Sequence, residues 1–171
     1  MEELCELAEN VPHLGGDVDV LRHYLPRLLE IAMTTGFDWP DSEAVVARIA
    51  YGAQLGSAPW WTWPPDEQTA VSSFFEAAWT RQLGQPDGSA DTLPCCIGTT
   101  VDDIGLYFSK WLAFDELCAA RHLDAFLAWN DELRSGKLAN GFWGPDNQRA
   151  AKNMRVVVRW ANSQQTLMAV T

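Results

Sequence analysis

Apolar residues recur along this chain at three- and four-residue spacing, segment after segment, and hardly anywhere in alternation. In DVDVLRHYLPRLLEIAMTTG the positions Leu21, Leu25, Leu28, Leu29 and Ala32 fall on one helical stripe, with aspartates in front and Gly36 behind. Pro26 lies inside that pattern, so it either kinks one helix or begins a second at the first position, where a missing N–H costs nothing. DSEAVVARIAYGAQLG follows, with Asp41 or Ser42 as cap and Val45, Val46, Ile49, Ala50 and Ala53 as the stripe. DEQTAVSSFFEAAWTRQLG turns Val71, Phe74, Phe75, Ala78 and Trp79 inward. The turn-rich stretch GQPDGSAD, residues 84–91, is the clearest loop.

Beyond it come a short apolar segment around Leu93 to Ile97 and a helix in VDDIGLYFSKWLAF. A longer helix in DELCAARHLDAFLAWNDELRSG gathers Leu117, Ala120, His122 or Leu123, Phe126 and Leu127 on one side. A last helix runs from about Pro145 to Leu167. RVVVRW is the one strand-like run, and its flanks favour helix. The expected fold is all-α, either an irregular helical bundle or stacked helical hairpins with HEAT-like packing. It forms a single domain over 1–171, with a subdivision at 84–91 as an option.

A faint repeat supports helices entered in a common way. Trp39-Pro40-Asp41-Ser42-Glu43 returns 24 positions later as Trp63-Pro64-Pro65-Asp66-Glu67, and Trp143-Gly144-Pro145-Asp146-Asn147 is a looser third copy. Proline suits a first helical turn, Asp or Ser caps its N–H groups, and a preceding aromatic packs back as a staple. LRHYLPRLLEIA, FDWPDSEAVVARIAY, WPPDEQTAVSSFFEAAW and LANGFWG together resemble a family of uncharacterised bacterial proteins. That resemblance implies a bacterial, helical, cytoplasmic protein and no particular chemistry.

Charge narrows the class of partner. The net charge is −11, yet Arg134, Lys137, Arg149, Lys152, Arg155 and Arg159 face only Asp146 between Arg134 and Thr171, leaving −16 for the rest. An acidic body opposes nucleic acid and favours a basic partner; the basic run reads as a solvated helix face. No segment reaches the roughly 20 apolar residues of a membrane span. MEELCELAEN, with four glutamates, does not read as a secretory signal, so a cytoplasmic location is expected. Cys5, Cys95, Cys96 and Cys118 have no regular spacing and suit free buried thiols.

Chemistry-bearing patterns are sparse. Cys118 and His122 share a helix face, which is half a zinc site or a nucleophile and base, but also an ordinary core pair. Asp102-Asp103, Asp115-Glu116 and Asp131-Glu132 are adjacent pairs; the first two fit helix starts, and adjacency does not make an acid/base dyad. Phosphate-cradle and nucleophile-elbow motifs are missing. Arg27 and Glu30 suit a partly buried ion pair at the Pro26 kink, with His23 nearby. Trp79, Trp111, Trp129 and Trp160 fit the core; Trp39, Trp63 and Trp143 fit staples. Trp60 and Trp61 are left over on the Pro-rich loop; their spacing does not say whether they are buried or exposed, and an exposed pair would be typical of interfaces.

The sequence therefore points to a non-enzymatic module that binds another protein with a basic surface, in the manner of an immunity protein or antitoxin. Trp60 and Trp61 would anchor the partner, with Asp38, Asp41, Asp66 and Glu67 around them. No cofactor, metal, nucleic acid or membrane is expected. The competing expectation is an enzyme or small-ligand binder with an inter-helix pocket near Arg27 and His122, joined by His23 and Cys118.

Overall fold

The computed structural model describes residues 18–37, 40–50, 59–86, 91–114, 117–144 and 148–168. Seven α-helices and no strand occur among them, so the fold is all-α. The chain groups into two compact units, Met1–Phe74 and Phe75–Thr171. The boundary falls inside a helix, ahead of the 84–91 stretch. Turn-forming residues mark where a chain bends, whereas units are set by which apolar faces meet.

In the first unit α1, Val18–Thr34, is one helix that runs through Pro26. Leu25, Leu28, Leu29, Ile31 and Ala32 are its buried stripe. Gly36 closes it at a φ of 71°, and its N–H donates to the Ile31 carbonyl at 2.8 Å. Leu28 packs on Val45 of α2, Ser42–Ala47, with Leu21 and Phe37 at the edge. The α2 segment is shorter than its stripe suggests. From Arg48 to Ala50 the backbone bonds reach back only three residues, and 51–58 lie outside the described residues. Asp41 sits at the front of α2 without a side-chain cap bond; its carbonyl accepts from Val45.

Trp60–Thr62 then forms one 3₁₀ turn, tied down by Trp60 N–H donating to the Ile49 carbonyl at 2.9 Å. It leads into α3, Pro65–Leu83, with Pro65 as the first helical residue and the Gln68 amide donating to the Trp63 carbonyl. Trp39 and 145–147 lie outside the described residues, so only the Trp63 copy of the repeat is seen whole.

The second unit is organised around α4, Thr92–Thr100, α5, Gly105–Ala113, α6, Leu117–Trp129, and α7, Gln148–Met168. The short apolar segment near Leu93 to Ile97 is a helix, buried from Leu93 to Thr100. Burial on every side erases the amphipathic period, which is why spacing did not announce it. Gly98 permits the burial: a Cβ there would lie 2.2 Å from the Trp143 ring. The end of α4 is capped from α7. Asn153 Nδ2 donates to the Gly98 and Val101 carbonyls at 2.8 and 2.9 Å, and its Oδ1 accepts from Ile104 N–H at 3.3 Å. Arg149 donates to the Thr100 carbonyl at 3.1 Å, and Lys152 to the Asp102 carbonyl at 3.0 Å. Part of the basic run is therefore a helix cap supplied by another helix.

Around this the core is aromatic. Trp111 lies 5.4 Å from Trp79, edge to face, and stacks on Trp160 at 5.5 Å; Phe108 touches Trp79, Trp111, Phe126 and Trp160. Trp129, expected in this core, is 63% exposed at the end of α6. The buried face of α6 is turned from the expected one, consisting of Ala119, His122, Leu123, Phe126 and Leu127, while Leu117 and Ala120 face out. Asn130 then ends the helix: its Oδ1 accepts from Ala139 N–H at 2.8 Å and its Nδ2 donates to the Phe126 carbonyl.

Replacing Asn153 by Ala leaves three buried backbone groups without partners and is expected to cost about 3 kcal/mol in urea unfolding. Burial first, and then the Glu76 charge, push the Tyr107 phenol from its usual 10 up to about 12. Below pH 10 the phenol is neutral folded or unfolded. Between 10 and 12 only the unfolded form releases the proton, so stability falls as pH rises through that window. Melting temperature against pH should show this fall, and Tyr107→Phe should remove Tyr107's share of it.

Candidate functional site: a groove on the first unit

Between α1 and the N-terminal half of α3 lies a groove of about 600 Å³, built from residues of the first unit alone. Its walls follow from two helical stripes. Leu25 and Leu29 stand on one face of α1, and Val71 and Phe74 face them from α3. Leu25, Leu29 and Val71 are buried and form the floor, whereas Pro26 and Ala70 reach the mouth. Trp63, only 6% exposed, closes one end.

The polar groups collect at that end. Arg22 Nε donates to Glu67 Oε2 at 2.7 Å, and Nη2 donates to the other oxygen of the same carboxylate, a two-pronged bond across the groove. Nη1 donates to Asp19 Oδ1 at 3.2 Å, and the guanidinium carbon lies 5.8 Å from the Trp63 ring centroid. The Glu67 hydrogen bond raises the Arg22 pKa above its ordinary value, against some desolvation, and the Asp19 charge adds to it. Arg22 remains 30% exposed, so the pair sits at the rim and not in the core.

The sequence-based candidates divide around this groove. Trp60 is 8% exposed and belongs to the core, while Trp61 is 37% exposed and meets it edge to face at 6.5 Å. The exposure of the tryptophan pair, which the sequence left open, is thus divided: a buried residue carries a half-open one, on a turn tied back by the Trp60 backbone N–H to the Ile49 carbonyl. Asp41 and Asp66 are exposed at the fronts of α2 and α3; Asp38 lies outside the described residues. Glu67 does not face a partner directly, since Arg22 holds it.

Of the alternative set, His23 lines the groove and its ring meets Tyr24 edge to face at 4.7 Å. Arg27 pairs with Glu30 on the exposed side of α1; the pair is solvent-facing, not partly buried, because the stripe of Leu25, Leu28 and Leu29 points elsewhere. Cys118 is half-buried, and His122 is buried with Nε2 2.7 Å from the Gln85 carbonyl, an ordinary satisfied core histidine. Both belong to the second unit and neither lines the groove. Among the described residues no three His, Cys, Asp or Glu side chains converge as a metal site. No helix among them is long and apolar enough to cross a membrane.

Arg22 and Asp19 escaped the reading of the sequence, although a signal was there. Glu67, Ala70, Val71 and Phe74, like Asp19, Arg22, Pro26 and Leu29, put a charge at the end of an apolar face. The chain matches no protein-family model, and neither a curated protein nor a solved structure is detectably similar to it.

The split between the two tryptophans is measurable. Trp60→Ala should cost about 3 to 5 kcal/mol in chemical unfolding, as for a buried aromatic. Trp61→Ala should cost about 1 kcal/mol.

Proposed function

We infer that the first unit is a binding module whose receptor is the α1–α3 groove, and that it receives an apolar, basic segment of another protein. The groove carries this reading: it has an apolar floor, polar groups confined to one end, and a volume within the roughly 300–1,000 Å³ typical of binding sites. Charge supports a basic partner. Residues 1–74 hold twelve acidic side chains against three basic ones, so most of the net −11 lies in the unit that bears the groove. Such a field accelerates capture of a cationic partner and repels anionic competitors.

An amphipathic segment laid on Leu25, Leu29, Val71 and Phe74 would bury its apolar side there and meet the acidic end with its charges. The same features suit a small immunity- or antitoxin-type protein that neutralises a basic target. Trp61 is at most a neighbour of the contact, and the expected Trp60 anchor has no place in it.

Ala70 supplies the test because it is exposed and lines the mouth of the groove. A photo-crosslinking residue at position 70, expressed in the native host, should join the chain to one defined protein. Ala70→Trp should fill the mouth and weaken that partner by about tenfold or more, while Trp61→Ala changes little. A partner held equally well by the Ala70→Trp chain would overturn the groove reading. Co-purification of a small molecule that Ala70→Trp expels would instead favour the small-ligand alternative.

A further inference from the structure

We propose that Arg22 is a built-in occupant of a cation seat, and that an arginine of the partner, flanked by apolar residues, displaces it. This rests on the groove as the receptor and names what enters its polar end.

The seat has three walls. Glu67 presents both carboxylate oxygens, Asp19 presents one, and the Trp63 ring lies beside the guanidinium at 5.8 Å. Two carboxylates and an aromatic face make a receptor for a planar cation, and the apolar floor continues directly from it. An anionic head group is disfavoured, since its approach to Arg22 is also an approach to Asp19 and Glu67, which already engage the cation.

Displacement is feasible because of where Arg22 stands. Its side chain is 30% exposed at the rim, so it can swing into water and be solvated there. The carboxylates it leaves are then paired by the incoming cation, and no carboxylate at the rim is left without its counter-charge. A bare cation gains nothing over the tethered arginine, because the tether supplies a high local concentration. An incoming cation with an apolar body also fills the floor of Leu25, Leu29 and Val71, and that contact decides the exchange. The seat thus favours the combination of charge and apolar bulk over either alone.

Hexylguanidinium, hexanol and hexanoate are probes that share one tail and differ in charge. Titrated calorimetrically into the full chain, hexylguanidinium should bind best and hexanoate worst. Arg22→Gln removes the competitor, so hexylguanidinium should tighten by about tenfold, as when a binding-competent state rises from a tenth to full population. Hexanol should stay within about twofold, since its site is the floor alone. Adding Glu67→Gln should abolish the preference for the cation.

Equal binding of hexanol and hexylguanidinium to the natural chain overturns the seat while leaving the groove as an apolar receptor. Loss of hexylguanidinium binding in Arg22→Gln, with hexanol retained as a sign of intact folding, also overturns it. Should the Arg22→Gln chain not fold, Asp19→Asn gives the same reading, because weakening the seat must lower the preference for the cation; an unchanged preference counts against the proposal. Absence of binding by all three probes overturns the groove itself.

Discussion

A helix buried on every side must have its last carbonyls satisfied by something other than water, and in the second unit that constraint falls on the end of α4. Asn153 meets it with one side chain that binds two carbonyls and one N–H, and Arg149 and Lys152 take the carbonyls around them. Because these three residues share one side of α7, their hydrogen bonds and the apolar packing agree on one register of α7 on α4. Gly98 and Trp143 complete the same arrangement, since the ring occupies the space where any larger residue would stand. The aromatic cluster of Trp79, Phe108, Trp111 and Trp160 is built partly on the same helix, through Trp160 of α7.

The first unit solves a different problem with different means. Its two long helices do not zip together along the stripe that faces α3. They are held at one end by the bond from Arg22 to Glu67 and leave an apolar volume beside it. A rim ion pair adds little to stability in water, so its value lies in geometry: it fixes the spacing of two helices and sets a charge at a defined place. The concentration of acid in the same unit gives that place its sign.

Much of the fold was legible because amphipathic helices declare themselves. The stripe of Leu25, Leu28 and Leu29, the proline at the front of α3 and the helical flanks of Arg155–Trp160 each carried their meaning locally. What escaped was non-local. The helix Thr92–Thr100 has no polar side to betray it, and the exposure of Trp129 depends on how α6 is rotated, which its own sequence does not state. For the site the same distinction holds. The abundance of tryptophan drew attention to Trp60 and Trp61, yet Trp60 is buried, on a turn tied back to Ile49, 11 positions away. The groove depends on Arg22 and Glu67, 45 positions apart, and no local pattern joins them.

Pro26 takes on a new meaning in this light. It has no N–H to offer the Arg22 carbonyl, so α1 lacks one rung at the turn that carries Arg22. A carbonyl without its helical partner must turn to water or to a side chain. The mouth of the groove is therefore bordered by the turn with the missing rung, and the buried Leu28, Leu29, Ile31 and Ala32 follow it. The residue that interrupts the hydrogen-bond ladder of α1 also lends its ring to the mouth, so one proline shapes both the helix and the groove.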